Sequence, residues 1–104
     1  MQVERIKFER TGGFAGIRLA TDLKLDDLPD EQANAIIELL DDLDFAKLPQ
    51  QMIGQETMPD QFTYKITVET NQWEHTVITG DVSAPEKMQE LLQLLNRLAR
   101  THRK

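Results

Sequence analysis

Glycines at positions 12, 13 and 16 separate two alternating stretches near the N-terminus, and this arrangement constrains the fold most strongly. Residues 2–10 alternate, with Ile6 and Phe8 on one side and charged residues on the other, and alternation resumes after Gly13. Two such stretches around a short connection predict a β-hairpin, because glycine readily adopts the positive φ angles of tight turns. Gly16, inside the second stretch, indicates a bulge or the close approach of another backbone or a ligand.

A helix and a long loop follow the hairpin. A polar connection covers residues 21–27, and Pro29 followed by two acids is typical of a first helical turn. Helical spacing then predicts a buried stripe formed by Ala33, Ile36, Ile37, Leu40 and Leu43. Residues 45–60 lack periodicity and predict a long loop, which is either a binding loop or a return path required by the topology.

Two strands and a second helix complete the chain. Alternation from Phe62 to Val68 predicts a half-buried strand, and Asn71 and Gln72 predict the next turn. Residues 73–79 are rich in strand-forming residues and predict a strand. Val77 and Ile78 are both apolar, so the pattern does not decide which face of this strand points to the core. A capping box at residues 83–86 begins the last helix, whose buried stripe is Met88, Leu91, Leu92, Leu95 and Leu98.

The order of elements is therefore β-β-α-β-β-α within one domain, residues 1–104. It predicts an α+β fold, a four-stranded antiparallel sheet with two helices packed on one face, which buries both helical stripes. If the strands lie side by side in chain order, the two hairpin tips lie at the same end of the sheet. That order would bring together two sets of residues: Gly12, Gly13 and Phe14 with Asn71, Gln72 and Trp73.

Composition excludes several classes of protein. The chain has no cysteine, which excludes disulfides and thiolate zinc sites. Its net charge of −6 disfavours nucleic acid as a partner, although residues 97–104 are basic, as suits a helix C-terminus. The N-terminus lacks the pattern of a signal peptide and the apolar runs are too short to cross a membrane, so the expected location is the cytoplasm.

No catalytic or metal-binding constellation is apparent in the sequence. His75 and His102 lack metal-ligand spacing, and the only serine, Ser83, is accounted for as a helix cap. The glycine cluster is not followed by the helix that a phosphate-binding loop requires. Acidic pairs such as Asp41 and Asp42 are typical of a solvated surface. We therefore expect no enzyme activity, no cofactor and no metal.

The chain resembles the emfourin family of protealysin-associated inhibitors. Residues 2–16 carry the most specific part of the resemblance, the Gly-Gly-Phe-Ala-Gly stretch. Further agreement lies at Leu28-Pro29, at Phe45 with Leu48-Pro49, at residues 60–64, and at residues 84–86 with the leucine-rich helix. The resemblance covers nearly the whole chain. It implies an intracellular, proteinaceous inhibitor of thermolysin-like zinc metallopeptidases, which has no cofactor of its own because the zinc belongs to the enzyme. We also expect the chain to be a monomer when free.

The contact residues are predicted on physical grounds. Turns held on a rigid sheet lose little conformational entropy on binding, and glycines let the backbone approach the floor of a cleft. Phe14 could fill an apolar pocket and Trp73 could pack at its rim. The protease-binding residues are therefore expected to be Gly12, Gly13, Phe14, Asn71, Gln72 and Trp73, with the first hairpin as the main contact.

Three alternatives stand beside this prediction. The 45–60 loop is a rival contact, in which Met52, Ile53 or Met58 enters the pocket and Glu56 or Asp60 approaches the zinc. Phe14 and Trp73 could instead be ordinary core residues. The whole chain could also be a non-inhibitory interaction module whose acidic surface steers it to a basic partner.

Overall fold

The computed structural model describes residues 3–12, 18–52, 62–80 and 86–101, with residues 51 and 52 described by their backbone alone. The strands are β1 (Val3–Gly12), β2 (Leu19–Lys24), β3 (Gln51–Met52), β4 (Phe62–Thr70) and β5 (Glu74–Gly80). The helices are α1 (Asp30–Leu43) and α2 (Glu86–Thr101), and two 3₁₀ turns cover Leu25–Asp27 and Phe45–Lys47. The predicted order β-β-α-β-β-α and the four-stranded antiparallel sheet are confirmed. Strand β3 adds two residues that run parallel to β5.

The strands do not lie in chain order. Their order across the sheet is β2-β1-β4-β5-β3, so that β1 pairs with both β2 and β4. Strand β4 is antiparallel to β1, with Gly12 opposite Phe62 and Val3 opposite Thr70. The turn after β4 therefore lies beside the start of β1, and the first hairpin connection lies beside the end of β1. The expectation that the two hairpin tips adjoin is wrong, because it assumed β2, and not β1, as the neighbour of β4.

Strand β2 is longer toward its C-terminal end than the sequence pattern indicated. Residues 21–24 belong to the strand, whereas a polar connection was expected over residues 21–27. Leu19, Thr21 and Leu23 are all buried on the helical side of the sheet. Alternation continues through Thr21 because a β-branched threonine is compatible with a buried strand position. Gly13, Phe14 and the proposed bulge at Gly16 lie outside the described residues.

The core lies between the sheet and the two helices. In α1, Ile36 and Leu40 are fully buried, and the other residues of the predicted stripe pack against the core. All five residues of the α2 stripe are buried, so both predicted helical faces are confirmed. Val77 faces the core, while Ile78 lies on the opposite face and is partly exposed. The capping residue Ser83 lies outside the described residues.

Helix α1 ends at a residue with a left-handed backbone. Asp44 has φ 53° and ψ 54°, and its N–H donates to the carbonyl oxygens of Leu40 and Asp41. Its carboxylate lies 3.5 Å from Lys47 Nζ, and Asp42 lies 3.9 Å from Lys87 Nζ on α2. Two of the acids near the end of α1, which the helix dipole disfavours, therefore have local partners.

We expect the Asp44→Gly variant to be more stable than the parent. Glycine adopts the left-handed conformation without the steric cost of a Cβ, which is about 1 kcal/mol. The exposed pair with Lys47 contributes little, so its loss does not offset this gain. Urea unfolding should give a free energy of unfolding about 0.5–1 kcal/mol higher, and Asp42→Gly, inside the helix, should lower it. A decrease for Asp44→Gly would contradict the prediction.

Candidate functional site

All five strands begin or end at the same end of the sheet, where the chain enters or leaves its long connections. Gly12 at the end of β1 lies opposite Phe62 at the start of β4, and Thr63 lies opposite Gly80. β2 begins at this end, and Met52 of β3 pairs there with Thr79. We call this region the Gly12 end. The described residues that flank segments 13–17 and 53–61 therefore lie together at the Gly12 end.

Gly12 has a backbone conformation that favours glycine. Its φ is 99°, and it is exposed at the last position of β1. A side chain at this φ would strain the backbone by about 1–3 kcal/mol. We therefore expect a replacement of Gly12 to disturb the fold as well as any contact.

Arg10 stabilises the Gly12 end on the helical side of the sheet. Its guanidinium lies 4.5 Å from the centroid of the Phe62 ring, and Nη1 donates a 3.2 Å hydrogen bond to Asn96 Oδ1 of α2. The Phe62 and Tyr64 rings are 6.4 Å apart, and Tyr64 stacks on Phe8 at 6.0 Å. These contacts connect β1, β4 and α2. Sequence reasoning missed Arg10, although the period of two places it on the same side as Phe8.

The turn between β4 and β5 lies at the opposite end of the sheet. Asn71 and Gln72 are exposed, whereas Trp73 is half-buried and packs against the core. The Thr70 hydroxyl accepts hydrogen bonds from the N–H groups of Gln72 and Trp73 at 3.1 and 2.9 Å. It donates to the Trp73 carbonyl at 3.1 Å. The threonine hydroxyl therefore holds this short turn, and neither Asn71 nor Gln72 needs a positive φ.

Replacing Thr70 by valine should loosen this turn. The variant keeps the shape of the side chain and leaves two turn N–H groups without their acceptor, which should lower the free energy of unfolding by about 1–2 kcal/mol. Chemical denaturation measures the loss. Thr63→Val, on the same strand, is the control and should change stability by less than about 0.5 kcal/mol. Equal losses in the two variants would show that the Thr70 hydroxyl has no special role.

The first part of the predicted 45–60 loop is attached to β5. Phe45 is buried and lies edge-on to His75, with ring centroids 5.7 Å apart. His75 Nε2 lies 2.7 Å from the Leu48 carbonyl oxygen, and the Ile78 N–H donates to the Gln50 carbonyl at 2.7 Å. This part of the chain is therefore a fixed edge of the sheet. The side chains of Met52, Ile53, Glu56, Met58 and Asp60 lie outside the described residues.

Within the described ranges, no three residues among His, Cys, Asp and Glu are placed to hold a metal ion. Neither of the two helices, as far as the structure describes them, is long and apolar enough to cross a membrane.

Comparison with known proteins identifies the family of the chain. Neither the curated proteins nor the solved structures include a significant match. The family model described as Emfourin matches residues 8–96. The matched region runs from Phe8 in β1 to Asn96 in α2 and includes the other four strands, α1 and the Gly12 end. Because this match covers most of its length, the chain belongs to the Emfourin family.

Proposed function

We propose that the protein inhibits thermolysin-like zinc metallopeptidases of the protealysin type by placing the Gly12 end of its sheet in the active-site cleft. The observation that carries this proposal is the convergence of strand ends at the Gly12 end, within a chain of the Emfourin family. The zinc belongs to the enzyme, and the inhibitor supplies no catalytic group or cofactor. The protein is proposed to act as a single domain, monomeric when free, in the cytoplasm.

The Gly12 end has the rigidity that an inhibitory surface needs. The central pairing of β1 with β4 continues to Gly12 and Phe62, and the Arg10 side chain joins both strands to α2. A segment mounted on such a support loses little conformational entropy when it binds. We propose Gly12, Gly13 and Phe14 as the main contacts, with Phe14 in an apolar pocket of the enzyme.

Asn71, Gln72 and Trp73 are retained as a secondary proposed contact. β1 has ten residues, so this turn lies about 30 Å from the Gly12 end. That separation favours a contact with a different part of the enzyme surface over joint entry into one cleft. The half-buried position of Trp73 leaves only part of its ring for such a contact.

Titration of thermolysin with the protein, in the presence of a chromogenic peptide, tests the proposal. We expect enzyme activity to fall linearly to a one-to-one end point while the protein remains intact on a gel. A small active-site inhibitor that chelates the zinc should compete with the protein. Unchanged enzyme activity with a thermolysin-like and a protealysin-like peptidase, or steady cleavage of the protein, would indicate a non-inhibitory interaction module or a substrate.

A further inference from the structure

Arg10 lies at a position of β1 that would suit an apolar side chain. It lies on the core-facing side of the strand, opposite Leu19 of β2 and Tyr64 of β4, which are both buried. Phe8, two residues earlier on the same side, is a core residue. An arginine side chain is rarely buried unless its charge has a partner. The formation of the strand therefore does not by itself explain why an arginine lies here.

The guanidinium of Arg10 makes two contacts with residues far away in the chain. It lies 4.5 Å from the centroid of the Phe62 ring, and Nη1 donates a 3.2 Å hydrogen bond to Asn96 Oδ1 of α2. Nε is buried and forms no hydrogen bond to any residue within the described ranges. A buried donor without a partner lowers stability, which offsets part of the gain from the other two contacts. The clearer effect of these contacts is to fix the position of the groups that they join.

Arg10 fixes the two strand ends from which the proposed contact segments continue. Gly12 is the last residue of β1 before segment 13–17, and Phe62 is the first residue of β4 after segment 53–61. Gly12 and Phe62 are paired across the two strands. Without Arg10, this pairing would end without a side chain that joins it to α2, and weakly held ends of elements open most readily. One side chain therefore holds the boundary of both segments.

We propose that Arg10 is a positioning residue for inhibition, which keeps the Gly12 end in its binding conformation through its contacts with Phe62 and Asn96. This inference rests on the proposed inhibitory function. Arg10 acts through the strand ends and is not itself a contact of the peptidase. Because it borders both segments, its loss weakens inhibition whichever segment makes the main contact. The apparent affinity falls in proportion to the fraction of molecules that retain the binding conformation.

The test compares variants of Asn96, which change the partner of Arg10 and leave Arg10 itself in place. Asn96→Leu keeps the approximate shape of the side chain and removes the acceptor, whereas Asn96→Asp keeps an acceptor for the guanidinium. We expect Asn96→Leu to raise the inhibition constant for thermolysin about 5- to 20-fold, and Asn96→Asp to stay within about two-fold of the parent. Arg10→Met should weaken inhibition at least as much as Asn96→Leu. Asn34→Leu, at an exposed position of α1, is the matched control and should inhibit as the parent does.

Rate constants and hydrogen exchange distinguish positioning from direct contact. Loss of positioning should lower the association rate constant, because only molecules with an ordered Gly12 end can bind, and should leave the dissociation rate constant unchanged. Loss of a direct contact would instead raise mainly the dissociation rate constant. Without the enzyme, amide exchange in residues 10–12 and 62–64 should become faster in Asn96→Leu and stay unchanged in Asn34→Leu. All assays are run below the melting temperature of each variant.

Three results would overturn the role of Arg10 and leave the inhibitory function intact. The first is equal inhibition, or equal hydrogen exchange, in the parent and Asn96→Leu. The second is an equal loss in Asn96→Asp and Asn96→Leu, which would mean that packing at this position matters and the acceptor does not. The third is a loss confined to Arg10→Met or to the dissociation rate constant, which would identify Arg10 as a direct contact. A parent protein that inhibits neither thermolysin nor a protealysin-like peptidase would contradict the proposed function, and this inference with it.

Discussion

Replacing Phe8 by alanine is expected to lower the free energy of unfolding by about 3–5 kcal/mol. Phe8 is 1% exposed, lies in the inner strand β1 and stacks on Tyr64, with ring centroids 6.0 Å apart. It lies between Thr21 of β2 and Ile66 of β4, so the cavity left by its ring would open at the centre of the sheet. A domain of this size is typically stable by about 5–15 kcal/mol, so this loss should be a substantial share of the total stability.

Urea unfolding followed by circular dichroism measures this loss. Lys7→Ala is the matched control, because Lys7 is the neighbouring residue on the opposite face and its side chain is 49% exposed. Its 3.7 Å pair with Glu69 is partly exposed, so the control should change stability by no more than about 1 kcal/mol. A loss below about 1 kcal/mol for Phe8→Ala would mean that β1 does not occupy the centre of the core.

Replacing Phe14 by alanine is expected to raise the inhibition constant by about 30- to 1,000-fold. This range corresponds to about 2–4 kcal/mol, the usual effect of truncating an aromatic anchor at the centre of an interface. The melting temperature should barely change if Phe14 is a contact residue. If Phe14 is instead a core residue, stability should fall by about 3–5 kcal/mol, and the fraction that remains folded should inhibit as the parent does.

Two further variants distinguish the ends of the sheet. Gly13→Trp should also weaken inhibition, because a bulky residue prevents the backbone from approaching the cleft floor. It is preferable to a replacement of Gly12, whose φ of 99° makes substitution costly to the fold. Gln72→Trp, in the exposed turn at the opposite end, should change the inhibition constant by less than about five-fold, since contacts outside the centre of an interface contribute little. A large effect of Gln72→Trp without an effect of Gly13→Trp would place the main contact at the second turn.

Local sequence patterns predicted much of the secondary structure. The stripe of α2 and the alternation of β4 are strong signals because apolar residues recur at a single period over seven or more residues. The signal was weaker in β2, where Thr21 was taken as part of a polar connection although it is buried. It was also ambiguous in β5, because Val77 and Ile78 are both apolar and only contact with the helices shows which of them faces the core.

The candidate site was predictable in part. The glycine cluster predicted a tight turn at the end of β1. The structure shows that Gly12 has a φ of 99°, a value that favours glycine. The interactions of Arg10 with Phe62 and Asn96 could not be predicted, because they join residues that are 52 and 86 positions from Arg10 in the chain.

The amino-acid sequence by itself determined the kind and order of the main elements, the faces that the helices bury and the family to which the chain belongs. Only the tertiary structure decided which strands are neighbours, and therefore that Gly12 lies beside Phe62 and about 30 Å from Asn71. The physical reason is that periodicity reports the burial of each element separately. Strand pairing, in contrast, depends on hydrogen bonds and packing between segments far apart in the chain, and several pairings can bury the same faces.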